Sequence, residues 1–274
     1  MRAPGFWTAA LRVFDLSVNQ MLWSRRTVFM ALATGAPVAI AILLRVIDGM
    51  GMSSFRVNGV PVPGPVIFGG MIWILYLRFV VPVLGAFYGT SLISDEVEDR
   101  TITYLFTRPV PRGAIIVGKY LAYLVCTLLV VLPSVTAVYL LVAPVGGGSI
   151  GATFPQLMTD LGLLALGLAV YGAVFALIGA LAPRPLVTGL ILIFGWEQVA
   201  LLVPGYLRRL TVAHYLQALV PHAMPQDDAV SAIQSLFSEP PSAMSSVLSL
   251  AGILAVALWL AARTVQTREY VLDQ

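Results

Sequence analysis

Several residue groups in the 274-residue chain have types and spacings that could do chemistry. Gly113-Ala-Ile-Ile-Val-Gly118-Lys119 has the glycine and lysine spacing of a phosphate-binding loop. Such a loop needs a hydroxyl directly after the lysine to hold Mg²⁺, and a strand leading into it. Tyr120 stands in the hydroxyl's place, and Ile115, Ile116 and Val117 open an apolar run, so ATP binding by this chain is not expected. His214 and His222, with Asp227 and Asp228 nearby, are the grouping closest to a metal or proton-relay site. Two histidines eight residues apart need more ligands than that, and they are read as surface residues. Cys126, the single cysteine, lies in an apolar run, which leaves no disulfide framework and a packing role.

Arg78 and Glu197 are ionisable residues inside apolar runs. Arg78 lies 15 residues before Ile93 and Glu197 lies 11 residues after Leu186. At helical rise those offsets are roughly 22 and 16 Å from the same side of a membrane, close enough in depth to meet. Intramembrane charges are costly and face a partner or a polar cavity. The two residues are expected to pair across helices or to line a pathway, the alternative being that they snorkel at the outer interface. Glu197 is the one acid assigned to a span.

Ser94–Arg112 carries a different pattern. Asp95, Glu96, Glu98 and Asp99 read as four carboxylates at a helix start, where the macrodipole favours them. Arg100 follows, then Val97, Ile102, Leu105 and Phe106 give a short apolar face. Arg108, Pro109, Pro111 and Arg112 end the helix with basic charge and a proline stop. This predicts a compact amphipathic helix that either docks a soluble partner or is a solvated loop.

The elements that must position these groups are membrane helices. Apolar residues make up 59% of the chain and charged residues 11%, too few charges to cover a soluble protein of this length. Spans are expected at 27–44, 72–93, 114–142, 157–182, 186–203 and 247–262. Pro37, Pro82 and Pro133 are read as kinks. Gly85 and Gly89 form a small-xxx-small pair that would let another helix approach closely. Residues 6–25 place Trp7, Leu11, Phe14, Val18, Met21 and Leu22 at helical spacing, with Arg12, Asp15, Asn19 and Gln20 between them. That is an amphipathic helix suited to the interface, with Trp7 and Trp23 at headgroup level, and no cleaved signal is expected.

Lys and Arg set the orientation. With the N-terminus inside, 11 of the 16 basic residues fall in cytoplasmic segments, four outside and Arg78 within a span. The bias places both termini in the cytoplasm. The whole chain is then one all-α transmembrane domain, 1–274, with six spans. The 94–113 loop is cytoplasmic, and the 204–246 segment is external, re-entrant or interfacial, because it is too apolar for a free loop.

The acidic stretch Glu96 to Asp99, Thr101-Ile102, Pro109-Val110-Pro111-Arg112 and Gly118-Lys119 together resemble the corresponding loop of ABC-2-type transporter permeases, the membrane subunits of ATP-driven exporters. The resemblance extends along essentially the whole chain, and it is also similar to permeases described for copper-enzyme maturation. It implies a coupling helix, Asp95 to Thr107, seated in a groove of a separate ATPase subunit. It further implies a second copy of the chain, ATP and Mg²⁺ on the partner alone, no enzyme activity in this chain and no nucleic acid. A turn at Arg184 would be a smaller contact. The competing classes are a secondary transporter, which would show inverted repeats, and a membrane-embedded enzyme. The latter needs a nucleophile with a His or paired carboxylates inside spans. Neither pattern is found.

Overall fold

The computed structural model describes residues 5–22, 25–51, 56–57, 60–98, 112–202, 206–220 and 241–267. Helix α1 is Phe6–Leu22 and α2 is Arg25–Gly49. A two-stranded antiparallel ribbon follows, β1 (Arg56–Val57) against β2 (Val60–Pro61). Helix α3 then runs unbroken over 64–98. Its stretches are α-helical at Gly64–Met71, Val81–Leu84 and Thr90–Glu98, and π-helical at Ile72–Val80 and Gly85–Gly89. Helices α4 (Arg112–Val142) and α5 (Ile150–Leu181) are the longest of regular α geometry. Helix α6 covers 185–202, with a π-helical stretch at Leu192–Glu197. A 3-10 turn at Tyr206–Leu210 leads into the short α7 (Val212–Gln217), and α8 is Ala243–Thr267.

Among the described residues, five helices are long and apolar enough to cross a membrane: Thr27–Gly49, Gly64–Ser94, Gly113–Val142, Ile150–Leu181 and Ala243–Val265. The second begins eight residues earlier than the sequence suggests, because Gly64-Pro65 opens it and proline in a first turn costs no hydrogen bond. The fifth expected span, 186–203, is a shorter apolar helix, Pro185–Ala200. At ~1.5 Å per residue it covers only about 24 Å.

The helices alternate in direction. The Gly64 end of α3 meets the Val142 end of α4: a Cβ on Gly64 would lie 2.2 Å from the Val142 carbonyl oxygen. At the opposite end, a Cβ on Gly179 of α5 would lie 2.4 Å from the Thr90 carbonyl oxygen of α3. The core lies between α3, α4 and α5, around Tyr76, Tyr88, Tyr123, Tyr139, Tyr171 and Phe175. Burying a phenol in an apolar bundle requires a partner for its hydroxyl. Tyr120 Oη donates to the Ala169 carbonyl at 2.7 Å, and Tyr123 Oη to the Leu168 carbonyl at 2.9 Å. Tyr76 Oη and Ser134 Oγ are 2.7 Å apart, and Ser134 donates to the Thr34 carbonyl at 2.8 Å, so three spans share one polar chain.

The expectation for Gly85 and Gly89 holds. Their added Cβ atoms would stand 2.9 Å from Tyr171 Cβ and 2.8 Å from Phe175 Cβ, so α3 and α5 touch backbone to side-chain root. Large apolar side chains point outward on the other surfaces, among them Leu32, Leu43, Leu129, Leu140, Leu248 and Trp259.

Candidate functional site

Two regions bear on function. The first is the junction beside the 99–111 segment. Asp99, Arg100, Ile102, Leu105, Phe106 and Arg108 lie outside the described residues, as do Trp23, His222, Asp227 and Asp228. The flanks are defined: α3 continues to Glu98 and α4 starts at Arg112. This corrects the expectation that Asp95, Glu96 and Glu98 open a new helix. They lie within α3, which runs on from Gly64, so the acidic run does not open a helix. The error came from reading the acidic run as an N-terminus, when the apolar run of the second span simply carries its helix onward.

Around that junction three helices are fixed to one another. Lys119 Nζ donates to the Leu92 carbonyl oxygen at 3.1 Å, joining α4 to α3. Next to it, a Cβ on Gly118 would fall 2.5 Å from the Ala10 carbonyl oxygen and 2.9 Å from Val13 Cβ, so α1 lies directly on α4. Ala9 and Ala10 of α1 are buried with Ala114 of α4. The Gly-Lys pair is therefore a packing junction.

Ala9, Ala10 and Ser17 face the protein, while Trp7, Leu11 and Leu16 are exposed apolar residues, Trp7 at 68%. Arg12, Asp15 and Asn19 occupy a polar side. A small-residue face of α1 packs against α4.

The second region is polar and lies within the bundle. The expected Arg78–Glu197 ion pair is not formed. Arg78 Nη2 donates instead to Gln198 Oε1 at 3.1 Å, on the exposed surface between α3 and α6. Glu197 faces the other way and is 4% exposed. It accepts from Tyr171 Oη at 2.6 Å. The depth estimate was sound, but consecutive residues on a helix project about 100° apart, so Gln198 and not Glu197 shares a face with Arg78. Both polar residues of this region fall in π-helical stretches, Arg78 in Ile72–Val80 and Glu197 in Leu192–Glu197.

A further buried acid went unnoticed in the sequence. Asp160 lies inside the fourth span and is 0% exposed, so Glu197 is not the one acid there. The signal was present: an Asp between Leu157 and Leu161 interrupts an otherwise apolar run. Ser246, at the start of α8, is likewise fully buried. Among the described residues no group of three or more His, Cys, Asp or Glu could hold a metal ion.

Residues 10–270 match the model of a protein family described as ABC-2 family transporter protein. No curated protein matches the chain.

Proposed function

The chain belongs to the ABC-2 transporter family, a multi-pass membrane component of ABC transporters, and on that premise we propose that it is the permease subunit of an ATP-driven exporter. The observation that carries this reading is the family match over 10–270, nearly the whole chain. In this reading the 185–202 helix completes six crossings despite its length, and both termini face the cytoplasm of a bacterial inner membrane. ATP and Mg²⁺ are bound by a separate ATPase subunit, and this chain is not itself the enzyme.

The 94–113 segment is the contact with that subunit, through Asp95, Glu96, Glu98, Asp99, Arg100, Ile102, Leu105, Phe106, Arg108 and Arg112. What supports this is the frame around it. The Lys119–Leu92 bond and the Gly118–Ala10 contact hold the two flanking helices and α1 together, so a push on the segment reaches three helices at once. Rigid-body movement of such a unit is the kind of transition that opens or closes a path.

A second copy of the chain packs on the Arg78–Gln198 face. An arginine exposed at mid-span costs about 2.5–3.5 kcal/mol against acyl chains, so this face is better matched to another protein surface or to a water-filled path. Ile74, Phe79, Phe194 and Val199 surround it as exposed apolar residues. Transport between the copies would pass this polar pair.

Co-purification with a separately encoded ATPase subunit tests the proposal, with binding lost on Leu105→Ala or Glu98→Arg. Labelling of a cysteine at position 107 from the outer side of intact cells would overturn it.

A further inference from the structure

Arg78 is the fifteenth of the 31 residues in the Gly64–Ser94 span, close to its middle, and its side chain is exposed. A charge at that depth needs a partner. Among the described residues the guanidinium has one, the Gln198 side chain, whose Oε1 accepts from Nη2 at 3.1 Å. Gln198 is neutral, so it orients the guanidinium without cancelling its charge. A guanidinium has five N–H groups, and this bond uses one of them.

The acids that could cancel that charge are elsewhere. Glu197 is turned into the bundle, where Tyr171 Oη donates to it at 2.6 Å. Asp160 is fully buried on α5. Asp95, the next acid along α3, lies 17 residues further on, roughly 25 Å along the axis. The exposed side chains nearest Arg78 on the two helices are apolar: Ile74 and Phe79 on α3, Phe194 and Val199 on α6. The face therefore presents one positive charge set in an apolar surface. Two copies packed on it about a two-fold axis would bring two guanidinium groups together, with no acid of the described residues between them. In surroundings of low dielectric that repulsion is costly, and an oxyanion between the two groups removes it.

We propose that Arg78 binds the oxyanion head of an amphiphile dissolved in the membrane, and that the apolar side chains around it take the tail. A guanidinium forks onto such a head through two parallel hydrogen bonds. A free inorganic anion fits the charge but not the depth, because it would have to leave water. A neutral lipid fits the depth and leaves the charge unmet. Gln198 is a positioning residue, which fixes the guanidinium by accepting from it. The inference deepens the exporter reading by naming the class of passenger. It rests on that reading for transport, and not for binding.

The test measures binding of radiolabelled dodecyl phosphate to the full chain in micelles of neutral dodecyl maltoside, with protein-free micelles subtracted. Binding is expected to saturate. Arg78→Gln should weaken it at least ~tenfold, and Gln198→Leu by ~twofold or more, from the loss of a charged hydrogen bond or of its support. Arg78→Lys should fall between the parental chain and Arg78→Gln. Arg263→Gln, which removes an exposed arginine resting on Trp259, should change nothing. Dodecanol, with the same tail, and inorganic phosphate, with the head alone, should each compete at least ~tenfold less well. Parental affinity in both Arg78 variants overturns the proposal, and so does equal competition by dodecanol or by inorganic phosphate. In the complex with its ATPase subunit, dodecyl phosphate should raise ATP hydrolysis ~twofold or more, and should not in Arg78→Gln. Binding without that rise, in a complex that hydrolyses ATP, overturns the passenger role. A chain that co-purifies with no ATPase defeats the exporter reading instead, and leaves the binding result standing.

Discussion

Lys119 Nζ and the Leu92 carbonyl oxygen lie 3.1 Å apart, so a charged side chain from α4 closes on the backbone of α3 within its Thr90–Glu98 stretch. A carbonyl inside a helix normally serves its own ladder; here it takes a second donor through its other lone pair. The bond sits beside the segment assigned to partner contact.

Lys119→Met is expected to leave the chain inserted and assembled but to lower partner ATPase activity in the complex by ~threefold or more, as a charged hydrogen bond is worth about 1.5–3 kcal/mol. Lys119→Arg, which can still donate, should recover part of it. ATPase assays on the purified complex check both.

Gly118→Val should displace α1. The new side chain would begin 2.5 Å from the Ala10 carbonyl oxygen, a backbone atom that cannot swing aside. Overpacking of this kind costs ~1–3 kcal/mol. Proteolysis near residues 22–25 in detergent should become faster, and the melting temperature should fall.

Gly172→Ala should destabilise the bundle by a comparable ~1–3 kcal/mol, because its Cβ would lie 2.1 Å from Tyr123 Cε1. Gly70→Ala is the matched control: nothing lies within 4 Å of its added Cβ, so it should be neutral or stabilising by up to ~1 kcal/mol. Thermal melts of the two variants in one detergent separate a packing glycine from a tolerated one.

Ile74→Cys, on the exposed face beside Arg78, should form a disulfide with the same position of a second copy under mild oxidation. Leu248→Cys, exposed on α8, should not. If the two positions cross-link equally, the Arg78–Gln198 face is not where two copies meet.

Much of the fold was legible because hydrocarbon imposes length and polarity on any helix that crosses it. The runs starting near Thr27, Gly113 and Ala243 were located to within a few residues. The small-residue contact at Gly85 and Gly89 was also readable, since a glycine pair at helical spacing has few other uses in a span. What escaped depended on rotation rather than on depth. Arg78 and Glu197 were correctly judged close in height, yet facing direction separates them, and sequence spacing alone does not fix facing in a helix with π-helical stretches. Asp160 was missed within its own run. The acidic residues at 95–98 were read as opening a helix, yet they continue the one that begins at Gly64, because a run of charge does not by itself mark a terminus.

The π-helical stretches of α3 also make its two halves answer to different clocks. Each wide turn takes in an extra residue and so offsets the azimuth of all that follows. Removing one residue from the regular turn Val81–Leu84 would rotate the far half by roughly 100°. Gly85 and Gly89 would then leave Tyr171 and Phe175, and bulky side chains would arrive where only hydrogen atoms now fit. A single-residue deletion within Ile72–Val80, where the wide turn can tighten to ordinary pitch and take up the loss, should be better tolerated than the same deletion at 81–84.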